Sequence, residues 1–216
     1  MIGRRGALAA VLAGATLFGL GCTGAPAPIE TPRVRVATFG DLVVLTAGIR
    51  SDGEPARFAA VDDTATTTEI DIDARALPVH MRMMPDSLVC ERRDGDGATP
   101  IHYLTFERAG DRSAYGAYGL QGPKNGIPVD RPLTGDPVTW PERDAEQALA
   151  HVLALGGLAG DAAANVVAER SDAWLGNGLR AFFVLPLPLE SEIPGFVPPA
   201  DARVLLIRLE LVGTGI

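Results

Sequence analysis

The sequence predicts an α+β fold in which an antiparallel, β-rich meander packs with two helices and a closing pair of strands. Between residues 33 and 119 the apolar residues alternate or cluster in short runs, broken by Gly, Pro, Asp and Ser. Between residues 139 and 175 their spacing changes to that of helices. From Phe183 onward two apolar stretches of strand length close the chain. A β-sandwich carrying the helices as an insertion is the alternative.

Val34 and Val36 open the first strand, alternating with Arg33 and Arg35. Residues 41–50 contain Leu42-Val43-Val44-Leu45 and Ile49, a run apolar enough for a central strand. Ser51-Asp52-Gly53-Glu54-Pro55 reads as a turn. A short strand is expected over Arg57–Val61 and a clearer one over Thr66–Asp73. In the latter Thr68, Ile70 and Ile72 share one face, and Thr67, Glu69, Asp71 and Asp73 the other. That acidic row reads as a solvated face rather than a calcium site, because one strand does not supply six to eight oxygen ligands.

Val79–Met84 and Leu88–Arg93 are expected to pair as a hairpin about Pro85-Asp86. Proline cannot adopt the positive φ of a type I′ turn, which favours a three- to five-residue loop. Asp94-Gly95-Asp96-Gly97 is the strongest turn signal in the chain and is expected to join Leu88–Arg93 to a strand over Ile101–Arg108. It resembles the start of a calcium loop, but Ala98 stands where a third oxygen ligand belongs. From Gly110 to Pro137 glycine and proline predict a long surface loop with packed tyrosines, Tyr115 and Tyr118. The competing reading is a pair of flat rings offered to a sugar or a protein.

Thr139 with Glu142 fits a capping box, and Ala145, Ala148, Leu149, Val152 and Leu155 continue at helical spacing until Gly156. A second helix is expected over Ala162–Arg170 with Asp161 as its cap and Ala163, Val166 and Val167 inward. Trp174 and Leu175 pack near the turn Gly176-Asn177-Gly178. Phe183, Leu185, Leu187 and Leu189 then alternate, and Pro186 and Pro188 require an edge or an exit from the sheet. Val204–Ile207, continued by Leu209 and Leu211, reads as a strand buried on both faces.

The amino terminus has a different character. Arg4-Arg5 precede sixteen uncharged residues, Gly6 to Gly21, which end at Cys22. As a helix they would span about 24 Å, short of the hydrocarbon core of about 30 Å. A charged start, an apolar centre and small residues before the cut describe a removable export signal. Gly19-Leu20-Gly21-Cys22 resembles the lipobox of the bacterial lipoprotein class, with Gly19 where an aliphatic residue is usual. The resemblance implies cleavage before Cys22, a diacylglyceryl thioether on its sulfur and acylation of its new amino group. Two or more acyl chains anchor firmly where one is marginal.

The organisation expected is therefore a signal peptide over 1–21, a lipidated Cys22 with a proline-rich tether over 22–32, and a single α+β domain over 33–216. The competing cleavage site, Ala25-Pro26-Ala27, would release a soluble periplasmic or secreted chain, but Pro28 would follow the cut. The Arg4-Arg5 pair leaves both general and twin-arginine export open.

Formal charge is −8 and becomes −10 without residues 1–21. Such a chain repels nucleic-acid phosphates, and no basic run exceeds Arg92-Arg93, so no nucleic-acid partner is expected. Cys22 and Cys90 are the two cysteines. With Cys22 lipidated, Cys90 reads as a small buried hydrophobe beside Leu88 and Val89, with a reactive or bridging thiol as the alternative.

The sharpest chemical cluster is His80, Met81, Met83 and Met84 with Cys90, donors that suit Cu(I). On a strand, Met81 and Met83 face one way and His80 and Met84 the other, so core methionines with a surface histidine are expected instead. His102 and Glu107 fall on opposite faces of one strand, and His151 shares a polar helical stripe with Asp144 and Gln147. No hydrolase, zinc-protease, Walker, dinucleotide-binding or redox motif occurs. No cofactor is expected.

The function expected from these features is that of a membrane-anchored cell-envelope lipoprotein that presents an acidic domain to another envelope component, a protein or a glycan, without catalysis. The outer membrane or its periplasmic side is the expected location. An envelope or secreted hydrolase is the second class, and a Cu(I) or small-ligand binder the third.

Overall fold

The computed structural model describes residues 33–56, 68–93, 99–120, 126–136, 144–189 and 192–213. The signal, Cys22, the tether, the strand expected over Arg57–Val61, the turn Asp94–Gly97 and the Thr139–Glu142 cap lie outside the described residues. The rest form an α+β fold of three layers: two helices, a large sheet and a small sheet.

The large sheet contains β1 (Arg33–Phe39), β2 (Leu42–Ile49), β3 (Pro55–Ala56), β4 (Thr68–Asp73), β7 (Ile101–Ala109), β8 (Arg112–Leu120), β10 (Gly178–Pro186) and β11 (Val204–Leu211). The small sheet contains β5 (Val79–Met83), β6 (Ser87–Arg92) and β9 (Ile127–Asp130). Strand order in the large sheet is β4-β1-β2-β11-β10-β7-β8, with β3 paired to β2. The closing hairpin β10–β11 therefore sits in the middle, and β11 runs parallel to β2.

That position explains the composition of the central strands. Every residue of β2 is buried. Val43, Leu45, Ala47 and Ile49 face the small sheet with Leu205, Ile207, Leu209 and Phe183. Leu42 and Val44 face the helices with Leu206, Phe182 and Val184. A strand covered on both faces needs apolar residues at every position, not at alternate ones. Pro186 ends β10 opposite Val204, so its missing donor falls where the strand leaves the sheet.

Several expectations are corrected. The expected hairpin of Val79–Met84 with Leu88–Arg93 is present as β5–β6, but the second expected pairing, of Leu88–Arg93 with Ile101–Arg108, is not: the other neighbour of β6 is β9, and β7 pairs with β8 and β10. The chain crosses between sheets after β6, and a turn signal says nothing about which sheet the next strand joins. The expected loop over Gly110–Pro137 contains β8 and β9. Gly110 takes φ 63° in the turn between β7 and β8, a conformation that suits glycine. Gly116 leaves room for the Tyr118 ring, since a Cβ there would collide with its hydroxyl. Tyr115 is buried against the helices, and Tyr118 stacks on Tyr103, so both rings are packed.

Helix α1 (Ala145–Leu155) begins after Asp144, whose carboxylate accepts from the Gln147 N–H, so Asp144 and not Thr139 is its cap. Leu153 is buried and Leu155 exposed, the reverse of the inward Leu155 expected. Helix α2 (Gly160–Trp174) is longer than expected; Ala159 is its cap, and Asp161 lies in the first turn. Ala163, Val166 and Val167 face inward as expected, with Trp174 at the far end.

Candidate functional site

The Met/His/Cys cluster is divided by the alternation of β5. Met81 pairs with Cys90 across β5 and β6, and both are fully buried against the large sheet. Met83 is partly buried on the same face. Met84 is exposed, and His80 turns to the opposite face, beside Gly53. The five candidate ligands do not converge. Among the described residues no three His, Cys, Asp or Glu side chains gather as a metal site.

Cys90 meets the Tyr103 hydroxyl as a hydrogen-bond partner, and burial pushes both the thiol and the phenol above their ordinary pKa values. Cys90 is therefore a protonated, enclosed thiol within the core.

His80 leads to a cleft of about 110 Å³. Its floor is closed by buried side chains at one end of the core between the sheets: Ile49 of β2, Leu209 of β11 and Val79 of β5. Its rim carries Glu54, Arg75, His80 and Arg93. The loop after β2 builds one side, where the Gly53 N–H donates to the Arg50 carbonyl at 2.9 Å and the Met83 N–H to the Ser51 carbonyl at 2.8 Å. A 3-10 turn over Ala74–Ala76, capped by the Asp73 carboxylate, positions Arg75. Arg75 Nη2 lies 2.6 Å from Glu54 Oε2 and Nη1 lies 3.6 Å from Asp73 Oδ2. Arg93 follows β6, held by its N–H to the Pro78 carbonyl at 2.7 Å.

His80 is half-buried, and its pKa is held below the ordinary value. Loss of water around the imidazolium is the first cause, followed by Arg93; Glu91 and Glu54 pull the other way, and Arg82 adds to the lowering. The unfolded chain thus binds a proton more readily at this side chain. Stability falls as pH drops through the ordinary histidine value, near 6.5. The expected result is an imidazole titration midpoint for His80 below that value, read from its C–H resonances. A midpoint at or above it contradicts the placement.

Gly53 has φ 87°, and a Cβ on it would collide with His80 Nε2. Gly53→Ala is expected to cost about 1–3 kcal/mol from backbone strain and this collision. Urea unfolding measures it, and unchanged stability would mean that the loop is not held against His80.

Two charge clusters lie elsewhere. Glu107, on β7, is buried and accepts from Arg131 Nε at 2.8 Å, from Arg131 Nη2 and from the Leu133 N–H at 3.2 Å. Its position on the face shared with Tyr103 and away from His102 agrees with the alternation. On the helix side Glu210 accepts from Arg180 at 3.2 Å and from Arg208 Nε at 2.6 Å. Arg180 also donates to the carbonyls of Gly176 and Asn177, tying the turn after α2 to β10; burial lowers its pKa. Both clusters hold elements together.

Arg75, Arg93, Gly53 and Glu54 were not legible as partners of His80. They come from separate segments, and no spacing in the sequence relates them. No family model, no curated protein and no solved structure matches this chain.

Proposed function

We propose that this chain is an exported lipoprotein, held at a bacterial membrane through Cys22, whose α+β domain makes non-catalytic contact with another component of the cell envelope. The observation that carries this reading is the run Met1–Cys22: two arginines, an apolar centre and Gly19-Leu20-Gly21-Cys22. Ten residues separate Cys22 from Arg33, where β1 begins, and three of them are proline. At about 3.1 Å per residue such a tether reaches roughly 30 Å. Among the described residues no helix is long and apolar enough to cross a membrane. The negative charge of the domain favours a partner with cationic groups over anionic lipid or nucleic acid.

Cys22→Ser tests this reading in cells. The unaltered chain is expected to sediment with the membranes and partition into detergent. The variant is expected to leave that fraction or to accumulate as uncut precursor. Equal sedimentation and equal mass for the two proteins would overturn the proposal.

A further inference from the structure

We propose that the cleft at His80 binds a small organic carboxylate, with Arg93 pairing with the carboxylate, His80 beside it, and Ile49, Val79 and Leu209 covering a short apolar body. The site is independent of Cys22, so it stands or falls apart from the membrane anchor.

The charges on the rim are unequal. Arg75 is engaged on both sides, by Glu54 and by Asp73. Glu91 pairs with Arg82 at 3.6 Å. Arg93 lines the same cleft with one long bond, 3.4 Å from its Nη1 to the Arg75 carbonyl, and among the described residues no carboxylate pairs with it. A guanidinium without a carboxylate offers two parallel donors that a planar carboxylate matches. Its flexible side chain is anchored at the backbone by the bond to Pro78, so the head stays at the rim.

The floor selects the remainder of the ligand. Ile49, Val79 and Leu209 close the bottom of the cleft as the last side chains of the core between the sheets, each only 1–3% exposed. A short hydrocarbon chain seated on them displaces water from those few apolar atoms, a small gain that an inorganic anion does not make. A volume of about 110 Å³ suits a small ligand rather than a drug-sized one.

His80 reports occupancy. The charged groups facing it are Arg93, Arg82, Glu91 and Glu54, with Arg75 on the same rim. A bound carboxylate adds negative charge beside the imidazole and favours its protonated form.

Butyrate is the probe, added to the purified whole chain, whether it is isolated with membranes or without them. The protein has three histidines, so their C–H resonances can be followed individually, and His80→Gln identifies the signal of His80. Butyrate is expected to shift the His80 signal saturably and raise its titration midpoint, while His102 and His151 stay unmoved. Arg93→Gln is expected to weaken binding at least about tenfold, and Arg203→Gln to leave it unchanged, since Arg203 pairs with Asp41 at the other end of the large sheet. Butyramide, equal in shape and uncharged, is expected to bind at least about tenfold more weakly than butyrate. This comparison needs no variant and holds if Arg93→Gln fails to fold. No saturable shift with butyrate, or equal binding of butyramide, overturns the proposal. Tighter binding of inorganic phosphate than of butyrate overturns the role of the apolar floor.

Discussion

Phe183→Ala is expected to destabilise the domain by about 3–5 kcal/mol, the range for removing a buried aromatic ring. Phe183 is fully buried on β10 and stacks on Tyr103 of β7 at 5.3 Å between ring centroids, with 18° between planes. Tyr103 in turn stacks on Tyr118 of β8 at 5.2 Å. The three rings cross the neighbouring strands β10, β7 and β8, and the hydroxyl of the middle one meets Cys90 of the small sheet. Removing Phe183 opens a cavity at the inner end of this column and frees Tyr103, the group that touches both sheets. For a domain of this size the loss corresponds to a Tm lower by about 6–20 °C. Tyr118→Ala is expected to cost less, because Tyr118 is only partly buried on an outer strand. Thermal unfolding of both variants checks the order. A Phe183→Ala loss below that of Tyr118→Ala would contradict the stacking role.

Arg131→Ala is expected to cost a similar amount, about 3–5 kcal/mol, for a different reason. Glu107 has 1% of its side chain exposed, and Arg131 has 23%. Without Arg131 the carboxylate keeps, among the described residues, only the Leu133 N–H. Taking an ion from water is expensive unless a partner compensates it, and Glu107 cannot turn toward solvent. Glu107→Gln is expected to cost less, because the guanidinium left behind is nearer to water. Replacing both, as Glu107→Leu with Arg131→Met, is expected to recover most of the loss, since the buried pair itself contributes little net stability. Urea unfolding of the single and double variants measures the coupling. An Arg131→Ala loss below about 1 kcal/mol would mean that the pair does not fasten the segment after β9 to the large sheet.

Legibility in the sequence tracked burial. Strands β2 and β11 were readable because Leu42–Leu45 and Val204–Ile207 leave no alternative to the interior. Helix α1 was readable from its spacing, although its cap was not, because Asp144 competes with Thr139 and only the backbone geometry chooses between them. Strand β8 was hidden by its own composition. Arg-Ser-Ala-Tyr-Gly-Ala-Tyr-Gly-Leu has the glycine of a loop, yet Gly116 is where the Tyr118 ring folds back along the strand. The insertion of β10 and β11 between β2 and β7 was also out of reach, because local pattern identifies strands and not their distant neighbours. The same limit applies to the cleft. His80 was visible as a residue that could bind something, but the strand that carries it also carried the methionines. Strand alternation already set Met81 and Met83, which enter the core, apart from the imidazole; only the fold brings that imidazole to Gly53 and the arginines.

The mass of the amino-terminal peptide of the chain isolated from its own host tests the lipid anchor. A covalent lipid on Cys22 predicts a peptide that begins at that cysteine and is heavier than its sequence by a diacylglyceryl group, with or without a further acyl chain. A peptide that begins at Pro28, or one that retains residues 1–21 without added mass, would contradict it.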